Sequence, residues 1–391
     1  MYRSLFLLLF ITIPAYSFAQ ISITGKVIST DNKNGIAAAS VFLSNSKVGT
    51  ITKNDGTYEL TYVKDGQYDM LVSCIGYEIY HKQVSVKYSN LQMPDIELVP
   101  QISQLGEVKI RPGRAKRDLK RERYIRMFKE QFLGRTKNAT SCRLLNPELL
   151  EFNFDEASDK LTATSSDFLV IENKTLGYRI RYLLKSFLYD PRDGVAAYTG
   201  SSVFEPINGT PQQEANWINK RVETYKGSEL QFLRACIADA MPLNEFIVRR
   251  LYRKPTPGRP ADSLIYERVK YIRSHPSAFG SRDSLNYWIG QSKLPTNEQR
   301  GSEEPLKTAE YVKRTDEKGV YALGYSKPIM INFRHKENSS NERTSYIIFR
   351  EPYTYFDSNG VIFTPENCII EGYWGTLRIA DLLPVDYELG K

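Results

Sequence analysis

Between Ile21 and Val99 the chain breaks into short β-type runs separated by turn residues at close spacing. The runs are Ile23 to Ile28, Ala39 to Leu43, Val48 to Thr52, Thr57 to Tyr62, Tyr68 to Cys74, Tyr77 to Val86 and Ile96 to Val99. Asn54-Asp55-Gly56 and Asp65-Gly66 stand between alternating segments, and turns of this kind need the positive φ that Gly and Asn tolerate. Val41, Leu43, Tyr58, Leu60 and Val72 fall on one side of the alternation and are the expected core. Strands this short and this regularly punctuated predict a small β-sandwich.

Ahead of these runs, Arg3 precedes an apolar stretch from Leu5 to Ile13 and a small-residue site at Ser17-Phe18-Ala19. That order is the pattern of a secretory signal, with cleavage expected near Ala19-Gln20. The apolar stretch is shorter than the roughly 20 residues that span a bilayer. The expected location is therefore exported, either periplasmic or outer-membrane-associated.

The net charge is +8, and the excess is local. Ten basic residues stand against three acidic ones between Lys109 and Glu130. In the remainder of the chain expected after cleavage the two signs balance, so the basic field is a stripe. The stripe holds a linker with Pro112-Gly113, then a helix expected from about Asp118 with Ile125, Phe128 and Phe132 on its inner face and Gly134 as its stop. An anionic membrane surface is one partner for such a helix, but its apolar face is short for an anchor and packing on the next domain is favoured. Nucleic acid is not expected, because no stacking aromatics are interleaved with the basic residues and the chain reads as exported.

Cys74, Cys142, Cys236 and Cys368 form no C-x-x-C pair. Export permits disulfides in three connectivities, and sequence does not choose among them. Cys74 lies in the apolar run Val72-Ser73-Cys74-Ile75 and is expected as a buried free thiol.

Five segments carry a family resemblance: Gly25-Lys26-Val27, Ala39-Ser40-Val41, Gly49-Thr50-Ile51-Thr52, Asp55-Gly56-Thr57-Tyr58 and Ile75-Gly76-Tyr77-Glu78. In this order and spacing they resemble the carboxypeptidase-like regulatory domain. The resemblance implies a transthyretin-like β-sandwich of exported proteins in gram-negative bacteria, often placed ahead of outer-membrane transporters. It also implies a non-catalytic appendage. His81, His275 and His335 begin neither an H-x-x-E nor an H-E-x-x-H pattern, so zinc peptidase chemistry is not expected. The chain beyond Ile110 is too short for a transporter barrel of some 22 strands of about 10 residues.

After residue 135 the pattern is mixed. Strands are expected over Leu149 to Phe154, Leu161 to Ser165, Phe168 to Asn173, Tyr178 to Leu188 and Ser201 to Ile207. Thr210-Pro211-Gln212-Gln213 and Ser228-Glu229-Leu230-Gln231 read as capping boxes that open two helices. A third helix is expected from Asp283 to Gln291, and loops over Thr256 to Asp262 and Lys293 to Pro305. Val320 to Tyr325, Pro328 to His335, Ser345 to Phe349, Gly360 to Thr364 and Ile369 to Trp374 return to a strand pattern. Blocks such as Leu169-Val170-Ile171-Glu172-Asn173, Tyr225-Lys226-Gly227-Ser228 and Ala380-Asp381-Leu382-Leu383-Pro384 resemble the uncharacterised C-terminal region of the same exported proteins.

The predicted fold class is mainly β plus α+β. A signal peptide covers 1–19, a regulatory β-sandwich 20–100, a basic linker and amphipathic helix 101–134, and an α+β domain 135–391. No G-x-S-x-G elbow or phosphate-cradling loop is present. The adjacent acids Asp155-Glu156, Glu303-Glu304 and Asp316-Glu317 fall in polar loops and read as solvated surface. Catalytic residues, cofactor and metal are each expected to be none. The candidate contact residues are Arg114, Lys116, Arg117, Lys120 and Arg121 in the stripe, and Tyr353, Tyr355, Tyr373 and Trp374 near the C-terminus. The functional expectation is a non-catalytic binding or scaffold protein of the envelope with a protein partner. The alternative is a carboxylate-dependent hydrolase acting on carbohydrate or peptide.

Overall fold

A computed structural model describes residues 21–101, 118–192, 194–276, 281–334 and 343–389. The first of these segments is a sandwich of two four-stranded sheets. In one, Ile21–Ser29 pairs antiparallel with Thr57–Val63 and parallel with Leu91–Gln92 and Ile96–Leu98. In the other, Gly49–Ile51, Ser40–Leu43, Gly66–Ser73 and Tyr80–Val86 lie side by side. Val41, Leu43, Tyr58, Leu60 and Val72 are all in the core between the sheets, as their period of two requires. The turn before Thr57 takes Gly56 at φ +81°, a conformation that a Cβ would strain.

The next layer is a six-stranded antiparallel sheet. The long hairpin Tyr178–Asp190 and Val195–Pro206 forms one edge, and Leu169–Asn173 and Lys160–Ser165 pair along the other side of its first strand. The Leu119–Phe132 helix covers this sheet. Phe128 and Phe132 are fully buried and stack at 4.7 Å, and Phe128 meets Phe187 edge-on. Tyr124 and Met127 complete the packed face, whereas Ile125 lines a surface recess with Glu122 and Arg126. The inner face is therefore rotated from the expected one.

A five-stranded antiparallel sheet and a three-stranded one make the third layer. Phe232 and Leu233, on the Glu229–Ile237 helix, pack there against Phe246 and Trp374. Several expectations change in this region. The strand Phe246–Pro255, second from the edge of the five-stranded sheet, was hidden by Arg249, Arg250, Arg253 and Lys254, which break its apolar alternation. The Asp262–Ser274 helix has Ala261 at its N-cap with no side-chain bond, so it carries no start signal. Asn297–Gly301, expected as loop, is the edge strand beside Leu251–Pro255. Gly360 to Thr364, expected as strand, is irregular chain after the Ser358-Asn359 turn, with a single antiparallel bridge from Ile362 to Phe356. The Asp357 carboxylate fastens the turn by accepting the Asn359 and Val361 backbone N–H groups, both at 3.0 Å. The last strand stops at Gly372, whose φ is +72°, and Tyr373–Thr376 is one helical turn. All four cysteines are free, and Cys74 is half-buried at the end of its strand instead of in the core. Among the described residues no helix is long and apolar enough to cross a membrane.

Candidate functional site

The sandwich and the rest of the chain meet through backbone bonds. Asn45, at φ +58°, donates its N–H to the Ser202 carbonyl at 2.6 Å. Phe204 N–H donates to the Ser46 carbonyl at 3.0 Å, and Ser46 bridges Val203 in parallel. A sandwich loop thus extends the open edge of the six-stranded sheet, which satisfies donors that an edge strand would otherwise leave bare. Asp357 lies at a second seam. Its Oδ2 accepts the Gln67 backbone N–H at 3.0 Å, and the neighbouring Asn359 amide donates to the Asp65 carbonyl and the Tyr68 hydroxyl. A Cβ on Gly66 would lie 2.1 Å from that amide, so only Gly permits this approach. The C-terminal segment closes a third seam. The Arg234 guanidinium donates to the carbonyls of Asn359, Tyr387 and Val385 at 2.9, 2.8 and 2.6 Å.

Where these seams converge there is a cleft of about 360 Å³. Asn45 reaches it from the sandwich, Ser202 and Phe204 from the sheet edge, and Leu382 and Leu383 from the C-terminal segment. Glu229 enters from the first turn of its helix. Ser228 caps that helix by accepting the Gln231 N–H at 3.1 Å. The Gln231 side chain takes the Gly227 N–H, so the expected capping box closes one residue earlier. Glu229 itself has no hydrogen-bond or ion-pair partner among the described residues. The helix dipole favours its charged form, but burial outweighs this and pushes the carboxyl up to about 7. Asp381 also faces the cleft, and burial raises it above the ordinary carboxylate range. It accepts bonds from Thr136 at 2.9 Å and Asn138 at 3.0 Å. No Lys or Arg is among the described residues lining the cleft.

The residues singled out from sequence are dispersed. Arg114, Lys116 and Arg117 lie outside the described residues. Lys120 is exposed, 3.5 Å from Glu156. Arg121 is turned inward: its Nη2 donates to the carbonyls of Pro147, Glu148 and Leu150, and its guanidinium covers Phe152. It is a clamp for the chain entering the six-stranded sheet and not a surface contact. Tyr353 accepts from Lys313 at 2.8 Å, and Tyr355 faces Phe363. Tyr373 lies under the Arg343 guanidinium. Trp374 is 5% exposed, packs on Phe232 and donates to the Gly227 carbonyl at 2.7 Å. Trp374, named among the candidate contact residues, is thus a core side chain: the turn after Gly372 carries the ring inward. The paired acids do local work. Asp155 binds Ser158 and the Ala157 N–H, Glu303 meets Arg300, and Glu317 meets Lys87.

Glu229 and Asp381 were not anticipated. In the sequence Glu229 is a first-turn acid that complements a helix dipole, and only the chain's long-range closure brings it into one cleft with Phe204, Val361 and Leu377.

Residues 23–110 match the model of the CarboxypepD_reg-like domain family. The N-terminal unit is a CarboxypepD_reg-like domain. This is a non-catalytic regulatory fold, and no catalytic family is indicated for the rest of the chain. No curated protein sequence matches. Three solved structures illustrate the structural likeness. A type II cohesin–X-dockerin complex from Acetivibrio cellulolyticus is 16% identical over 20% of this chain and 58% of its own, with a TM-score of 0.19. The pilus 2b backbone protein of group B streptococcus is 18% identical over 20% of this chain and 40% of its own, at 0.18. A putative membrane-associated protein of unknown function from Bacteroides fragilis is 9% identical over 86% of this chain and 93% of its own, at 0.17. The matches to the first two span less than two thirds of those chains.

Proposed function

We propose that this is an exported, non-catalytic scaffold of the bacterial envelope that holds a protein partner. The observation that carries the reading is the joint between domains. The Gln67–Asp357 and Asn45–Ser202 bonds hold the CarboxypepD_reg-like sandwich against the α+β body. A regulatory sandwich fastened in this way presents a fixed surface, which lowers the ordering cost of binding. The arginines of the body support the same view, since Arg121, Arg234 and Arg378 are spent on backbone carbonyls. Tagged protein recovered from native envelopes should bring down one transporter or envelope complex, identified by mass spectrometry. A hydrolytic activity of the purified protein, abolished by one substitution, would replace this reading with an enzymatic one. Glu229 and Asp381 are the carboxyls such an activity would use, because both face the cleft.

A further inference from the structure

The junction cleft is chemically lopsided. Asn45 and Ser202 bond each other at 2.7 Å, Ser228 caps its helix, and Asp381 is held by Thr136 and Asn138. The nearby cations are committed as well. Arg234 binds three carbonyls, and Arg378 donates to the carbonyls of Gln131, Gly375 and Leu377. Glu229 is left as a carboxyl without a partner among the described residues, in a cleft walled by Leu230, Val361, Leu377 and Leu382. Glu229 is only partly buried and lines the cleft with no cation beside it, so a ligand that brings a donor of positive charge would meet an unopposed acceptor there.

We propose that the junction cleft binds a small organic ammonium ion, an alkyl or aralkyl amine, with Glu229 as its counter-charge and the leucines around its apolar body. A divalent metal fits the site less well. Ca²⁺ takes six to eight oxygens, and the described residues contain no group of three or more His, Cys, Asp or Glu able to hold an ion. A polyol fits less well because the walls are apolar. The cleft volume of about 360 Å³ is at the small end for ligand sites and suits a short chain. This inference goes beyond the scaffold reading and does not depend on it.

The test is calorimetric titration of the full chain with n-alkylamines from butylamine to octylamine, with the matching alcohols as neutral controls. The amines should bind saturably, with affinity rising with chain length until the cleft is full. Binding a cation ionises Glu229, so a proton is released. Buffers of different ionisation enthalpy should report more proton released per amine at pH 6 than at pH 8. Glu229→Gln should lower affinity about tenfold or more and abolish the release. Leu382→Trp, a larger side chain on the cleft wall, should also weaken binding. The proposal is overturned by amines that do not saturate, by alcohols that bind as well as amines, or by equal affinity in Glu229→Gln. None of these outcomes bears on whether an envelope partner is recovered.

Discussion

The Asp357 carboxylate accepts the Gln67 backbone N–H at 3.0 Å across 290 residues of sequence. Asp357 is 1% exposed and also accepts the N–H groups of Asn359 and Val361. One side chain therefore shapes a turn in the body and fastens that turn to the sandwich. Burial raises its carboxyl, and these hydrogen bonds oppose the rise. Asp357→Ala would leave three backbone donors without their acceptor. The expected loss is about 2–4 kcal/mol of unfolding free energy, read from urea denaturation. Asp357→Asn retains one acceptor oxygen and should lose less. A variant as stable as the parent would show that the seam contributes little.

Glu229 gives stability a slope with pH. Its carboxyl is raised from an ordinary value of 4.5 to about 7 in the folded chain. Across that window the folded state keeps a proton that the unfolded state has lost. Its contribution to stability is therefore fully present below pH 4.5, falls as pH rises to 7, and is lost above it. Glu229→Gln removes this term. At pH 8 the variant should be more stable than the parent, on the order of 2 kcal/mol once partial solvent access is allowed for. At pH 4 the two should be equal. Asp357 and Asp381 shift in the same direction and Asp190 in the opposite one, and all three remain in the variant. The difference between the two urea-midpoint curves isolates Glu229, and parallel curves would refute the assignment.

The sandwich was legible in the sequence because its information is local. Asn54-Asp55-Gly56 specifies its own turn, and Val41, Leu43, Tyr58 and Leu60 specify a face through a period of two. The Pro211–Tyr225 helix was legible for the same reason: Thr210 and Gln213 form the reciprocal cap within four residues. The seams were not legible. Asn45–Ser202 and Gln67–Asp357 join positions far apart in sequence, and nothing near Asn45 or Gln67 names the partner. Charge misled twice. Arg249, Arg250 and Arg253 disguised the Phe246–Pro255 strand, and Arg121 looked like part of a solvated stripe although its guanidinium is folded onto three carbonyls. Trp374 misled by continuity, since the strand pattern runs through Gly372 and only the positive φ there ends it.

Arg121 tests the distinction between a surface charge and a clamp. Arg121→Gln loses bonds to Pro147, Glu148 and Leu150 and its cover over Phe152. The expected cost is about 1–3 kcal/mol, with no change in affinity for vesicles of anionic lipid. Lys120→Gln, at an exposed pair, should leave stability within about 0.5 kcal/mol of the parent. Loss of vesicle binding in Arg121→Gln without loss of stability would restore the surface reading.

Arg234 grips the C-terminal segment: its three donors take the Asn359, Tyr387 and Val385 carbonyls. Other ties include Lys64 with Glu388 at 2.7 Å and Lys47 with Asp386 at 3.4 Å, each partly in solvent, and the burial of Val385 and Tyr387. The Val385 N–H reaches Asn45 at 2.7 Å, so release of the segment also loosens the sandwich loop. Arg234→Ala strips the guanidinium but leaves the helix sequence otherwise intact. It should cost about 2–4 kcal/mol, because buried carbonyls lose a charged donor. Limited proteolysis should then cut first within residues 382–389, well before the core is digested. Arg234→Lys, a point charge without the planar fork, should recover only part of the protection. If the alanine variant is cut no faster there than the parent, the segment is held by its apolar contacts and not by Arg234.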